Sequence, residues 1–76
     1  MKYIVITGKD GQEHLLIFDM NIQHSDFASY FKGEGVVISA GFIGPCRKRC
    51  YGDSLSLNIC SRPEKDTALL QEMFCL

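Results

Sequence analysis

The chain has 76 residues, 46% of them hydrophobic and 22% charged, with four cysteines and a formal net charge of −1. That length holds one domain, residues 1–76, near the lower limit for unaided folding, and the apolar share excludes a disordered chain. A pI near 6.0 excludes a general electrostatic pull toward nucleic acid or acidic membranes, so any such binding needs a local basic patch.

The first apolar run, Tyr3 to Ile6, is four residues long. A signal peptide needs roughly 7–15 apolar residues and a membrane span about 20. The expectation is a soluble protein of a reducing cytoplasm, where free thiols are favoured over disulfides.

Lys2–Thr7 and His14–Asp19 are two apolar runs around Asp10-Gly11, a hairpin signal because glycine accepts positive φ without a side-chain clash. Both strands are apolar on both faces, so a second layer must cover them, and self-association through this hairpin is one way to supply it. His24 or Ser25 opens a predicted short helix, with Phe27 and Phe31 on one face and Gly33 suited to the left-handed cap. Val36–Ile43 reads as a third strand, with Val36, Ile38, Ala40 and Phe42 on one face and Val37, Ser39, Gly41 and Ile43 on the other. Gly41 within it suggests a bulge or a close backbone approach.

Asp53–Cys60 alternates: Leu55, Leu57 and Ile59 are expected to be buried, and Ser54, Ser56, Asn58 and Cys60 to face water. Ser61 and Glu64 have the spacing of a capping box for a helix from Pro63 to about Phe74. Leu69, Leu70, Met73 and Phe74 form its apolar stripe, leaving Lys65, Asp66, Gln71 and Glu72 to solvent. The predicted architecture is α+β, in the order ββαββα: a four-stranded, mainly antiparallel sheet with both helices on one face.

Chemistry-bearing residues concentrate around the Pro45–Asn58 stretch. Zinc is most often held by cysteine pairs two residues apart; here three residues separate Cys46 from Cys50 and fourteen separate Cys60 from Cys75, so no metal or other cofactor is expected. Cys46 and Cys50 are instead a candidate redox pair, with Arg47, Lys48 and Arg49 between them to stabilise a thiolate. The same cations could contact phosphate or an acidic protein patch, and Tyr51 could stack on a base. Ser54, Ser56 and Asn58 form a polar row fit for docking or simply for solvation. His14 and His24 fall in no catalytic signature and read as polar surface, and Gly33-Glu34-Gly35 lacks the remainder of a dinucleotide loop. Catalysis is not expected.

The run SAGF at Ser39–Phe42, with CYGDSLSLNICSRPEKD at Cys50–Asp66 and the opening strand-turn-strand, resembles small uncharacterised proteins encoded by tailed phages and prophages. The segment from Cys46 to Cys50 departs from that pattern. The resemblance implies an accessory phage protein acting in the bacterial host cytoplasm by binding a host protein. The expected function is therefore a non-enzymatic protein-interaction module. Nucleic-acid binding through Arg47, Lys48, Arg49 and Tyr51 is the alternative, and redox or metal response through Cys46 and Cys50 the third reading.

Overall fold

The computed structural model describes residues 1–44 and 49–74, apart from the side chain of Phe74. Strand β1 (Lys2–Gly8) and strand β2 (Glu13–Phe18) form the expected hairpin, in unbroken register from Lys2 opposite Phe18 to Thr7 opposite Glu13. Gly8 N–H donates to the Gln12 carbonyl at 2.9 Å and Gly11 N–H to the Gly8 carbonyl at 3.0 Å. Gly11 sits at φ +80°, the left-handed position that closes a three-residue hairpin loop.

Helix α1 (His24–Ser29) is shorter than predicted. Tyr30, Phe31 and Lys32 donate to carbonyls only three residues back, so the last turn tightens instead of continuing as α-helix. Phe31 nevertheless keeps its place beside Phe27, with ring centroids 5.2 Å apart, and Phe27 stacks on Phe18 at 4.1 Å.

Strand β3 (Gly35–Ile43) pairs antiparallel with β1. Val5 lies opposite Ser39 but Ile6 lies opposite Val37, so Ile38 is an extra residue. This bulge overturns the strict two-face reading, because one inserted residue reverses the alternation beyond it. Val37 joins Ala40 above Ile4 and Ile6, while Ile38 joins Ser39 and Ile43 beside Tyr3 and Val5. The bulge thus falls at Ile38, and Gly41 is the close approach: a Cβ there would lie 2.4 Å from the Tyr51 carbonyl oxygen.

The expected strand Asp53–Cys60 does not form. Strand β4 (Cys50–Tyr51) pairs with Phe42 and Ile43, while β5 (Asp53–Ser54) and β6 (Ile59–Cys60) make a separate two-stranded ribbon. Gly52 at φ +82° breaks the path between β4 and β5, and Asn58 at φ +54° turns the ribbon. The expected alternation fails at its start, where Leu55 is 91% exposed and Ser54 only 2%. It holds beyond that point: Leu57 and Ile59 pack half-buried on the core while Ser56, Asn58 and Cys60 are exposed. The main sheet has four antiparallel strands in the order β2-β1-β3-β4.

Helix α2 spans Pro63–Phe74. The helices lie on opposite faces of the sheet, not on one. Leu69 and Leu70 of α2 pack with Tyr3, Val5, Leu15, Ile43 and Cys50. Phe27 and Ala28 of α1, with Phe31, pack on Ile4, Ile6, Phe18 and Ala40. The physical reason is β1 itself, whose Tyr3, Ile4 and Val5 are all 0% exposed. Apolar side chains on both sides of one central strand require two covering layers, and the chain supplies both. Among the described residues no helix is long and apolar enough to cross a membrane.

Candidate functional site

The most concentrated polar chemistry lies where α2 begins. Asp66 N–H donates to the Arg62 carbonyl at 2.8 Å, and the Asp66 carboxylate reaches back to accept Arg62 N–H at 2.9 Å. Asp66 therefore does the capping assigned to Ser61 and Glu64, while Ser61 N–H is spent on the Gly52 carbonyl. Asp66 is 0% exposed, which corrects its expected place in solvent. Its Oδ2 also accepts Tyr3 Oη–H at 2.6 Å. Its Oδ1 accepts Ser39 Oγ–H at 2.9 Å and Arg62 Nε–H and Nη2–H at 3.0 and 2.9 Å. Arg62 spans outward to Glu13, donating at 2.8 and 3.3 Å.

This cluster joins β1, β2, β3 and α2. Burial first, and the Asp66 carboxylate second, push the Tyr3 hydroxyl far above its ordinary 10.0. Arg62 holds the exposed Glu13 carboxyl below its usual range, and Glu13 in turn raises Arg62. Every buried side-chain nitrogen and oxygen among the described residues has a hydrogen-bond partner. A carboxylate already accepting five hydrogen bonds has no lone pair free for a substrate proton. The arrangement is a clamp. Spacing carried a trace of it: Asp66 lies three, four and seven residues before Leu69, Leu70 and Met73, on the helix face that turns inward.

The candidate residues of the Pro45–Asn58 stretch are dispersed. Cys46, Arg47 and Lys48 lie outside the described residues, as does Cys75. Arg49 is exposed, and Tyr51 is 52% exposed with its ring 6.0 Å from that of Phe42. Of the polar row, Ser54 is buried while Ser56 and Asn58 are exposed. Ser54 Oγ accepts Leu57 N–H at 3.2 Å, Asn58 N–H donates to the Leu55 carbonyl at 3.3 Å, and Ser56 Oγ accepts Ser25 N–H at 3.1 Å. These groups brace the β5–β6 turn and tie it to the start of α1. Leu55, which alternation assigned to the core, faces outward as well.

Cys50 is 1% exposed, and its N–H donates to Thr67 Oγ1 at 3.0 Å. Burial, then the Asp66 carboxylate, push its thiol up to about 11, the reverse of the activation expected from the neighbouring cations. Cys60 is a free, exposed thiol. Iodoacetamide labelling of the native protein at pH 8, read by peptide mass spectrometry, is expected to modify Cys60 readily. Cys50 should lag by a factor on the order of 100, following its thiolate fraction. Equal labelling of the two would contradict the burial of Cys50.

His24, read as surface, is 4% exposed. Its Nε2–H donates to the Gly41 carbonyl at 2.9 Å, and its ring meets Phe18 and Phe42 edge-on at 5.4 and 5.5 Å. His14 stays at the surface, 3.4 Å from Asp10 Oδ2. Two concavities flank α1. An open groove of about 600 Å³ has Ile6, Leu16 and Phe31 on its floor and Lys9, Asp10, His14 and Glu34 around it. A smaller one of about 270 Å³ lies between Lys2, His24, Phe42, Asp53 and Leu55. Among the described residues no three His, Cys, Asp or Glu side chains are grouped to hold a metal ion. Comparison with known protein families, curated proteins and solved structures found no match for this chain.

Proposed function

We propose that the chain is a small non-enzymatic protein-interaction module, and that the β5–β6 turn is its contact point. Leu55 carries the reading. A side chain 91% exposed stands on a turn held by the Ser54 Oγ, Asn58 N–H and Ser56 Oγ bonds. A braced apolar side chain loses little further conformational freedom on docking and gains by leaving water. Tyr51, half-exposed, and the cleft of about 270 Å³ beside Leu55 give a partner an aromatic face and a recess, features enriched where binding energy concentrates. The likeness to small tailed-phage proteins points to a bacterial host protein as that partner.

The test compares three tagged proteins in bacterial extract: wild type, Leu55→Asp, and Val36→Asp as a control at a separate position 67% exposed. Leu55→Asp is expected to unfold within about 0.5 kcal/mol of wild type, as surface changes do, and to lose a partner that the other two retain. A retained partner that ignores Leu55→Asp removes this turn from the reading. Nucleic-acid binding through exposed Arg49 and Tyr51 is the second reading. It predicts an affinity for short single strands that falls steeply with salt and weakens in Arg49→Glu.

A further inference from the structure

The outer edge of β2 has the geometry of a two-fold seam. Because Gly8 and Gln12 form a hydrogen-bonded pair, the ladder bonds fall on every second residue: Ile6 with His14, Ile4 with Leu16, Lys2 with Phe18. The N–H and C=O groups of Glu13, Leu15 and Ile17 therefore point away from β1. The strand lies at the end of the sheet order, and no turn or loop bond among the described residues reaches those groups. Natural edges are usually guarded by lysine, proline, a bulge or a covering element. The sequence of β2, EHLLIF, has neither lysine nor proline, and its register is continuous.

We infer that β2 pairs antiparallel with β2 of a second copy of this chain, with Leu15 on the two-fold axis. In that register Leu15 faces Leu15, Glu13 faces Ile17 and His14 faces Leu16. All three outward residues of one strand then meet all three of the other, which makes six inter-chain hydrogen bonds. Centring on Glu13 or Ile17 leaves a single such pair within the strands, and centring on Glu13 also sets two carboxylates face to face. The two sheets become one, in the order β4-β3-β1-β2-β2-β1-β3-β4.

Side chains favour the same seam. A two-fold axis normal to the sheet keeps both α2 helices on one side. The groove of about 330 Å³ along this edge, with Leu15, Leu16, Leu69 and Met73 as its apolar lining and Glu13, His14 and Glu72 as its polar part, then opens onto its counterpart. Met73, 49% exposed, gains an apolar neighbour across the axis. The Glu13 carboxylate, the one formal charge on β2, is already paired with Arg62. This surface is separate from the Leu55 turn, so the two proposals stand or fall independently.

Light scattering on the eluting protein reads the mass, and amide exchange reads the register. Between about 5 and 500 µM, the range in which an edge association would fall, the mass is expected to rise from 8.6 kDa toward twice that value. Over the same range the amides of Glu13, Leu15 and Ile17 should slow by roughly tenfold or more, while those of His14 and Leu16 stay protected throughout. Ile17→Pro removes one outward N–H without breaking the β1 ladder and should return the mass to that of one chain. If that variant fails to fold, the wild-type exchange pattern decides alone. A mass of 8.6 kDa at every concentration overturns the inference, as does a dimer whose protected amides lie elsewhere. Edge amides that become protected only when a different protein is added also overturn it, by assigning the edge to a foreign strand.

Discussion

Asp66→Ala is expected to destabilise the fold by about 3–5 kcal/mol, as removal of one partner from a buried charge network does. The substitution strands Tyr3 Oη and Ser39 Oγ, both bonded to this carboxylate in buried surroundings. It also deprives the Arg62 N–H and guanidinium of their inner acceptor. A domain of this size has about 5–15 kcal/mol in total, so the variant should sit close to its unfolding midpoint in water. Asp66→Asn keeps the shape but turns one acceptor into a donor facing donors, and should cost nearly as much. Arg62→Ala should cost less, because Asp66 retains Tyr3, Ser39 and the Arg62 backbone N–H, and water can enter where the side chain is 25% exposed. Urea unfolding followed by far-ultraviolet dichroism reads the ranking. A loss below about 1 kcal/mol for Asp66→Ala would show that the clamp is incidental to the fold.

Alkaline solution is expected to unfold the protein through the same cluster. Tyr3 and Cys50 are both acids whose neutral forms the fold prefers: each has its folded value raised, Cys50 from 9.0 to about 11 and Tyr3 far beyond its ordinary 10.0. A group raised in this way contributes its full stability below its unfolded value and loses it as pH climbs above that value. The decline should therefore begin near pH 9 with Cys50 and steepen past pH 10, where Tyr3 joins. Cys50 accounts for about 2–3 kcal/mol, lost by pH 11. The Tyr3 share goes on falling beyond that, because its folded hydroxyl stays neutral.

Tyr3→Phe separates the two. It should lose about 1–3 kcal/mol at pH 7, where Asp66 gives up a donor, yet show a shallower decline above pH 10. A urea midpoint that stays level from pH 8 to pH 11 would contradict the burial of both groups. On the acid side Glu13 works with the opposite sign, because a lowered carboxyl supports the fold above its ordinary 4.5 and ceases to as pH falls. Its exposure keeps that contribution small.

Local patterns were informative where one segment decides its own structure. The β1–β2 hairpin rests on Asp10-Gly11 between two apolar runs, and Gly11 takes the positive φ that the pair advertises. Helix α2 starts at Pro63 and runs to Phe74, as its spacing and first turn predict. Leu70, at 0% exposure, is the inward residue of its stripe.

Sequence by itself therefore determined the α+β composition, the antiparallel hairpin, the third strand and the second helix, because hydrogen bonding and periodicity within short stretches specify these. Only the tertiary structure decided which way side chains face. The bulge at Ile38 exists because β3 must register against β1, so no count along β3 alone reveals it. The Leu55 alternation fails because Gly52 and Asn58 bend the backbone, and alternation holds only along an extended strand. Asp66 reads as surface until Tyr3, 63 residues away, and Ser39, 27 away, arrive as donors. A buried carboxylate is tolerable only once such partners converge, and convergence over that distance is a property of the folded chain.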